Sequence, residues 1–138
     1  RVNSLIDGVE STALTSEEFL RGPFLEFMKK VPRSPIAVVV RLLVAEGWRH
    51  PDLVAYYYDN VVARGLGAIR GFVERGVERG EFRREALEVQ PQLFIAPMLT
   101  SILWRLVFTD RPLDTDQLIK SQVDLLLAQL TTSMEHDQ

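Results

Sequence analysis

The side chains that most often act in catalysis or metal binding are scarce in this chain of 138 residues, and none occurs at a spacing typical of a catalytic or metal site. The two histidines, His50 and His136, are far apart, and no Glu-x-x-His pair occurs. Cysteine is absent, which excludes a disulfide, a cysteine-ligated zinc ion and a thiolate nucleophile. Phosphate-binding glycine strings and Gly-x-Ser-x-Gly are absent as well. The sequence therefore predicts no enzyme, no metal site and no cofactor.

The overall charge argues against direct binding of nucleic acid by this part of the protein. Sixteen basic and nineteen acidic residues give a net charge of -3. Residues 64–84 are locally basic, with six arginines against three glutamates. Because the glutamates are interleaved with the arginines, a solvated helix surface is the better interpretation of this segment.

Large apolar side chains on segments that should converge are the remaining candidates for a binding site. Aromatic and methionine side chains with a few polar groups are typical of small-molecule pockets, although a solid core would use the same residues. The candidate ligand-binding residues are Phe24, Phe27, Met28, Arg41, Trp48, Tyr58, Val61, Met98 and Trp104.

Two of these candidates carry polar groups. Arg41 is the only polar residue between Ile36 and Ala45, and an unpaired charge there is costly. It could pair with a carboxylate such as Glu46, or it could reach an acidic ligand. At 100° per residue, Tyr58 points to the core face of its helix and would offer its hydroxyl to a pocket.

Helical periodicity runs through the whole chain and predicts an all-α fold of about six helices in one domain, residues 1–138. Three helix starts are well marked: a capping box of Thr15 and Glu18, Ser34 before a proline, and Asp114. The predicted helices cover approximately residues 1–11, 15–31, 34–46, 51–80, 91–108 and 114–132.

Composition within these helices predicts their environment. The segment 36–45 is apolar on all sides and should be the buried central helix. Gly22-Pro23 predicts a kink or a restart of the second helix, and Pro97 predicts a bend in the fifth helix. Gly65 and Gly76 lie on the inward face of the fourth helix, where another helix could approach closely.

No segment has the length of a membrane span. The longest uncharged stretch is residues 89–104, and its 16 residues fall short of the ~20 that a bilayer requires. The chain starts at Arg1 and shows no signal-peptide pattern. We therefore expect a cytoplasmic protein, of which this chain is a piece.

The last two predicted helices carry more apolar surface than one small domain needs. In the sixth helix, the leucines, isoleucine and valine cover an arc of roughly 200°, about double a core-facing stripe. A homodimer would bury the surplus, whereas burial of both helices inside one domain is the alternative. The candidate interface residues are Leu99, Ile102, Leu103, Leu106, Ile119, Val123, Leu126, Leu127 and Leu130.

Three segments together resemble the C-terminal region of TetR-family transcriptional regulators. They are RLLVAEGWRHPDLVAYYYDNVV at 41–62, RGVERGEFR at 75–83 and IAPMLTSILWRLVF at 95–108. The matching positions of the family pattern are Glu46, Pro51, Gly76, Gly80, Phe82, Pro97, Trp104 and Arg105.

This resemblance implies an effector-binding and dimerisation domain that follows a helix-turn-helix domain absent from this chain. It further implies that residues 1–12 end the connecting helix, and that residues 92–108 and 114–132 form a four-helix bundle across a homodimer. The expected function is therefore the sensing of a small, largely apolar effector that controls binding of operator DNA by a repressor. The alternative is a helical interaction or scaffold domain without a small ligand.

Overall fold

The computed structural model describes residues 14–131, and this part of the chain is all-α without a β-strand. Helix α1 covers residues 16–30 and contains a π-helical turn, Leu20–Phe24, between Ser16–Phe19 and Leu25–Lys30. Helix α2 is Pro35–Glu46. The predicted all-α fold is confirmed, while the predicted helix at residues 1–11 lies outside the described residues.

Three further helices complete the described fold. Helix α3 covers residues 51–78 and contains a second π-helical turn. Its segments are Pro51–Tyr57, the π turn Tyr58–Val62, and Ala63–Glu78. Helix α4 is Ala96–Val107 and helix α5 is Thr115–Leu130. Short 3-10 turns connect the helices at Val31–Arg33, Gly47–Arg49, Arg84–Glu88 and Pro91–Phe94.

The predicted helix starts are confirmed by their hydrogen bonds. The hydroxyl of Thr15 accepts from the backbone of Glu18, whose carboxylate accepts from the backbone of Thr15 in return. Ser34 accepts from Ile36 N at 3.2 Å, and Asp114 accepts from Gln117 N at 3.0 Å. Each cap satisfies backbone N–H groups that the first turn of a helix leaves unpaired.

Helix α4 differs from the prediction at its start. The segment Pro91–Phe94 is a separate 3-10 turn, and Pro97 lies in the first turn of α4. A backbone N–H in the first turn has no partner within the helix, so the proline costs no hydrogen bond there. The predicted bend at Pro97 is therefore wrong.

Helix α2 is peripheral, so its predicted central position is also wrong. Only Ala37 in this helix is buried, whereas Val38, Leu42 and Val44 are half or more exposed. One side of α2 packs against α4, and no other described helix covers its outer side. An apolar sequence predicts that a helix will be shielded from water, but it does not show whether other helices of the same domain cover it.

Five phenylalanine rings form a continuous chain through the core. Phe72 contacts Phe82 and Phe19, with ring centroids 5.6 and 5.2 Å apart. Phe24 contacts Phe19 and Phe94, at 6.5 and 6.2 Å. These contacts join α1 and α3 to the turns that follow α3. Aromatic pairs at such separations add stabilisation beyond the area that they bury.

The chain leaves α3 through a tight turn that brings Phe82 back against the helix. Gly80 has a positive φ of 76°, which a glycine adopts without strain. A Cβ atom on Gly76 would lie only 2.7 Å from Cε2 of Phe82, so a glycine is required for this packing. The close approach predicted at Gly76 thus exists, but a ring of the following turn makes it.

A carboxylate ties the start of α1 to the end of α3. The Oε1 atom of Glu81 accepts from the backbone N of Ser16 at 2.9 Å and from its hydroxyl at 2.6 Å. The hydroxyl bond to Ser16 is the main cause that lowers the pKa of Glu81, and Arg79 adds a smaller electrostatic contribution. Ionised Glu81 therefore stabilises the fold.

We expect Glu81→Gln to lower the free energy of unfolding at pH 7 by about 1 kcal/mol, because the charge on the acceptor is lost. Since the pKa of Glu81 is lowered in the folded state, its contribution exists at neutral pH and disappears as the pH falls below about 4.3. Urea unfolding of both proteins at pH 7 and pH 3 measures this difference. Exposed Glu85→Gln is the control, and an equal loss at both pH values would contradict the interpretation.

Candidate functional site

An apolar cavity of about 200 Å³ lies between α1, α2, α3 and α4. Its buried wall, which we call the cavity floor, comes from the core itself. The floor consists of Phe19, Leu20, Phe24, Met28, Val31, Leu66, Phe72, Phe94 and Met98. Half-buried residues form the rest of the wall, the cavity rim. The rim consists of Phe27, Ile36, Val40, Tyr57, Val61, Val62, Gly65, Ala68, Ile69, Ile95 and Leu99.

The wall of this cavity is almost entirely carbon. Among residues 14–131, no lining residue carries a charge, and polar atoms contribute almost none of the surface. Tyr57 is the only one of these lining residues with a polar side chain. Such a cavity can bind a ligand through dispersion and the hydrophobic effect.

Both π-helical turns contribute to the cavity wall. The first supplies Leu20 and Phe24, and the second supplies Val61 and Val62. In the first turn, Leu25 N donates to Leu20 O, five residues earlier, around the segment that contains Pro23. The predicted kink at Gly22-Pro23 is therefore a widened turn. Single π turns inside α-helices are often found at functional sites.

Two polar contacts hold parts of the wall from outside. Arg21, in the first π turn, donates to Asp124 of α5 at 2.8 Å, and this bond is the main cause of the lowered pKa of Asp124. Buried Gln122 donates through Nε2 to the carbonyl of Phe94 at 2.7 Å and to that of Leu93 at 3.0 Å. Helix α5 thus holds the backbone of Phe94 and the π turn that contains Phe24, without lining the cavity itself.

The structure brings together five of the nine residues predicted to bind a ligand. Phe24, Phe27, Met28, Val61 and Met98 all line the cavity. The remaining four, Arg41, Trp48, Tyr58 and Trp104, lie outside it. Trp48 is 80% exposed, and Trp104 donates through Nε1 to the carbonyl of Arg111. Contact between the five lining residues and a ligand stays a prediction.

Tyr57, and not Tyr58, faces the cavity. Tyr58 is 52% exposed, whereas Tyr57 is half-buried and burial raises the pKa of its hydroxyl. The expectation for Tyr58 assumed 100° per residue along the whole helix. The π turn that begins at Tyr58 contains more residues per turn than an α-helix. Angles counted at 100° per residue from one side of this turn therefore do not give the correct face on the other side.

The predicted pairing of Arg41 with Glu46 is wrong. Glu46 instead accepts from Arg49 at 3.1 Å, within the turn that follows α2. Periodicity also missed several lining residues, including Leu66 and Phe94. Gly65 was expected on the inward face, and the structure shows open space beside it, with no atom within 4 Å of a Cβ placed there.

Burial changes the set of residues available to a second copy. Ile102, Ile119, Val123, Leu127 and Leu130 are buried inside the protomer, so they cannot meet a partner unless the core opens. Leu99 lines the cavity, and Leu126 packs partly against the core. Of the predicted interface set, Leu103 and Leu106 are exposed. The protomer itself thus buries four residues of the apolar arc of α5, whereas Leu125 of the same arc is 69% exposed, and burial of the arc by a second copy stays a prediction.

A family described as tetracyclin repressor-like, C-terminal domain, matches residues 20–126. Neither the curated proteins nor the solved structures gave a match. Because the family match covers most of the chain, this protein belongs to that family of regulatory domains, as its sequence motifs suggested.

Two further features bear on the type of site. Over residues 14–131, no helix is both long and apolar enough to cross a membrane. Within the same part of the chain, no three histidine or acidic side chains are grouped so that they could hold a metal ion.

Proposed function

We propose that this domain senses a small, largely apolar effector and, as a homodimer, controls DNA binding by an attached helix-turn-helix domain. The observation that carries the proposal is the carbon-lined cavity of about 200 Å³ inside a domain of this family. Dry cavities of comparable size bind small aromatic molecules. The protein would act in the cytoplasm, where its operator DNA is found.

The start of α1 provides a route from the cavity to the preceding chain. Phe19 and Leu20 belong to the cavity floor, and both lie within five residues of Thr15, where α1 is capped. The bonds from Ser16 to Glu81 fix this end of α1 to the end of α3. An effector that displaces the floor residues would therefore shift the point at which the chain enters α1. Residues 1–12, which we assign to the end of a connecting helix, would carry this shift.

Apolar side chains on α4 and α5 support the dimer. Leu103 and Val107 of α4 are exposed, and Leu125 of α5 is 69% exposed. Leu93, held beside α5 by the bond from Gln122, is exposed as well. We propose that these four side chains lie at the centre of a four-helix interface, where the sequence had placed residues that the protomer itself buries.

Naphthalene is a suitable probe of the cavity because it is uncharged and consists only of carbon and hydrogen. We expect it to raise the Tm of the protein by about 3 °C at tenfold excess over its Kd. Gly65→Leu should abolish this increase, since the new side chain fills the open space beside Gly65. Thermal unfolding with and without naphthalene measures both effects.

Gly67→Leu is the matched control for this experiment. Gly67 lies in the same helix, has equally open space beside it and does not line the cavity. Both substitutions remove a helical glycine, so both should stabilise the apoprotein by up to about 1 kcal/mol. Loss of the naphthalene effect in both variants, or in neither, would contradict binding in the cavity.

Leu125→Glu tests the dimer without disturbing the protomer core. A two-fold interface would bring two copies of the buried charge close together, so we expect dissociation to monomers at micromolar concentration. Leu42→Glu, an equally drastic change at an exposed leucine of α2, should leave the dimer intact. Native mass spectrometry measures both, and a wild-type chain that is already monomeric at this concentration would overturn the dimer proposal.

The coding sequence ahead of Arg1 tests the link to DNA. A regulator of the proposed type requires a helix-turn-helix domain encoded in the ~50 codons before it, a length that a three-helix DNA-binding module occupies. We expect two short helices at the characteristic angle, the second of them basic. Their absence would remove the DNA-binding part of the proposal and would favour an interaction or scaffold domain.

A further inference from the structure

The cavity has a chemical asymmetry that restricts what it could bind. Its floor is buried carbon from phenylalanine, leucine and methionine side chains. Its rim includes one group of a different kind, the Tyr57 side chain. Because polar atoms contribute almost none of the wall, it is the ring of Tyr57 that provides the lining surface. A hydroxyl of Tyr57 that bonds to a ligand would do so from the edge of the cavity.

We propose that the cavity selects an uncharged compound of one or two rings, whose hydrocarbon body rests on the floor and whose single hydroxyl or carbonyl oxygen bonds to Tyr57 at the rim. This inference rests on the proposed sensing function and specifies the chemical class of the effector.

The size of the ligand follows from the volume and shape of the cavity. A cavity of about 150 Å³ lined by aliphatic and aromatic side chains accepts a benzene ring. The cavity in this protein has about 200 Å³, which suits one ring or two fused rings. Phe24 and Phe94 meet edge to face at 6.2 Å in its floor, and aromatic edges and faces pack well against a further ring.

The absence of charge in the wall excludes ionised ligands. A carboxylate or ammonium group placed in this cavity would lose its hydration and gain no partner, because no lining residue is ionisable at neutral pH. Arg41, the residue that the sequence suggested could reach an acidic ligand, is not part of the wall. Neutral molecules are therefore bound in preference to acids of the same shape.

Tyr57 has the properties expected of a group that forms a hydrogen bond with one polar atom of a ligand. Its side chain is half-buried, and within residues 14–131 its hydroxyl makes no hydrogen bond to another group of the protein. Burial raises the pKa of this hydroxyl, which keeps it protonated and able to donate at neutral pH. A ligand oxygen at the rim would supply the acceptor that the protein does not.

Naphthalene and two of its derivatives, 2-naphthol and 2-naphthoate, test the inference by fluorescence titration. We expect 2-naphthol to bind the wild-type protein about two- to tenfold more tightly than naphthalene, the gain of one hydrogen bond. We expect 2-naphthoate to bind at least about 100-fold more weakly than 2-naphthol, because its charge would be buried unpaired. Tyr57→Phe should remove the preference for 2-naphthol and leave the affinity for naphthalene unchanged.

Tyr58→Phe is the matched control, since Tyr58 is adjacent, exposed and outside the cavity. It should bind all three compounds as the wild-type protein does. If naphthalene binds but Tyr57→Phe keeps the preference for 2-naphthol, or if 2-naphthoate binds as tightly as 2-naphthol, the proposed ligand class is wrong and the sensing function stands. If none of the three compounds binds the wild-type protein, the sensing function itself fails.

Discussion

Contact between five phenylalanine rings is the interaction on which the rest of this structure depends. The chain of rings runs from Phe82 through Phe72, Phe19 and Phe24 to Phe94, and it joins elements that are far apart in sequence. Four of these rings also belong to the cavity floor, all except Phe82. The core and the cavity wall of this fold therefore share side chains.

If the proposed effector binds, this sharing couples the stability of the fold to occupancy of the cavity. An empty cavity next to the rings withholds packing contacts from them, and a ligand that supplies those contacts stabilises the folded state by mass action. Helix α5 keeps the arrangement in place from outside through Arg21–Asp124 and through the bonds from Gln122 to the chain before α4. The helix that we assign to the dimer interface thus also supports the proposed sensing site, so the two properties have a structural link.

The sequence was sufficient where a local rule decides the structure. The caps at Thr15, Ser34 and Asp114 depend on side chains within three residues of each other, and all were predicted. Positions that depend on distant neighbours were predicted less well. Apolar periodicity placed α2 at the centre and the α5 residues at an interface, because it shows that a face avoids water but not which element covers it. Tyr58 was chosen over Tyr57 for a different reason, since a π turn alters the periodicity on which the choice relied.

The second π turn also has a consequence for how such a cavity could diversify. A π turn contains one residue more than the α-helical turn that would join the same two segments. Insertion or deletion of a single codon at Tyr58–Val62 would therefore rotate the wall segment Pro51–Tyr57 by roughly 100° relative to the rest of its helix. Changes in gene length of only three nucleotides could exchange which side chains face the cavity while the helix caps and the phenylalanine rings are kept.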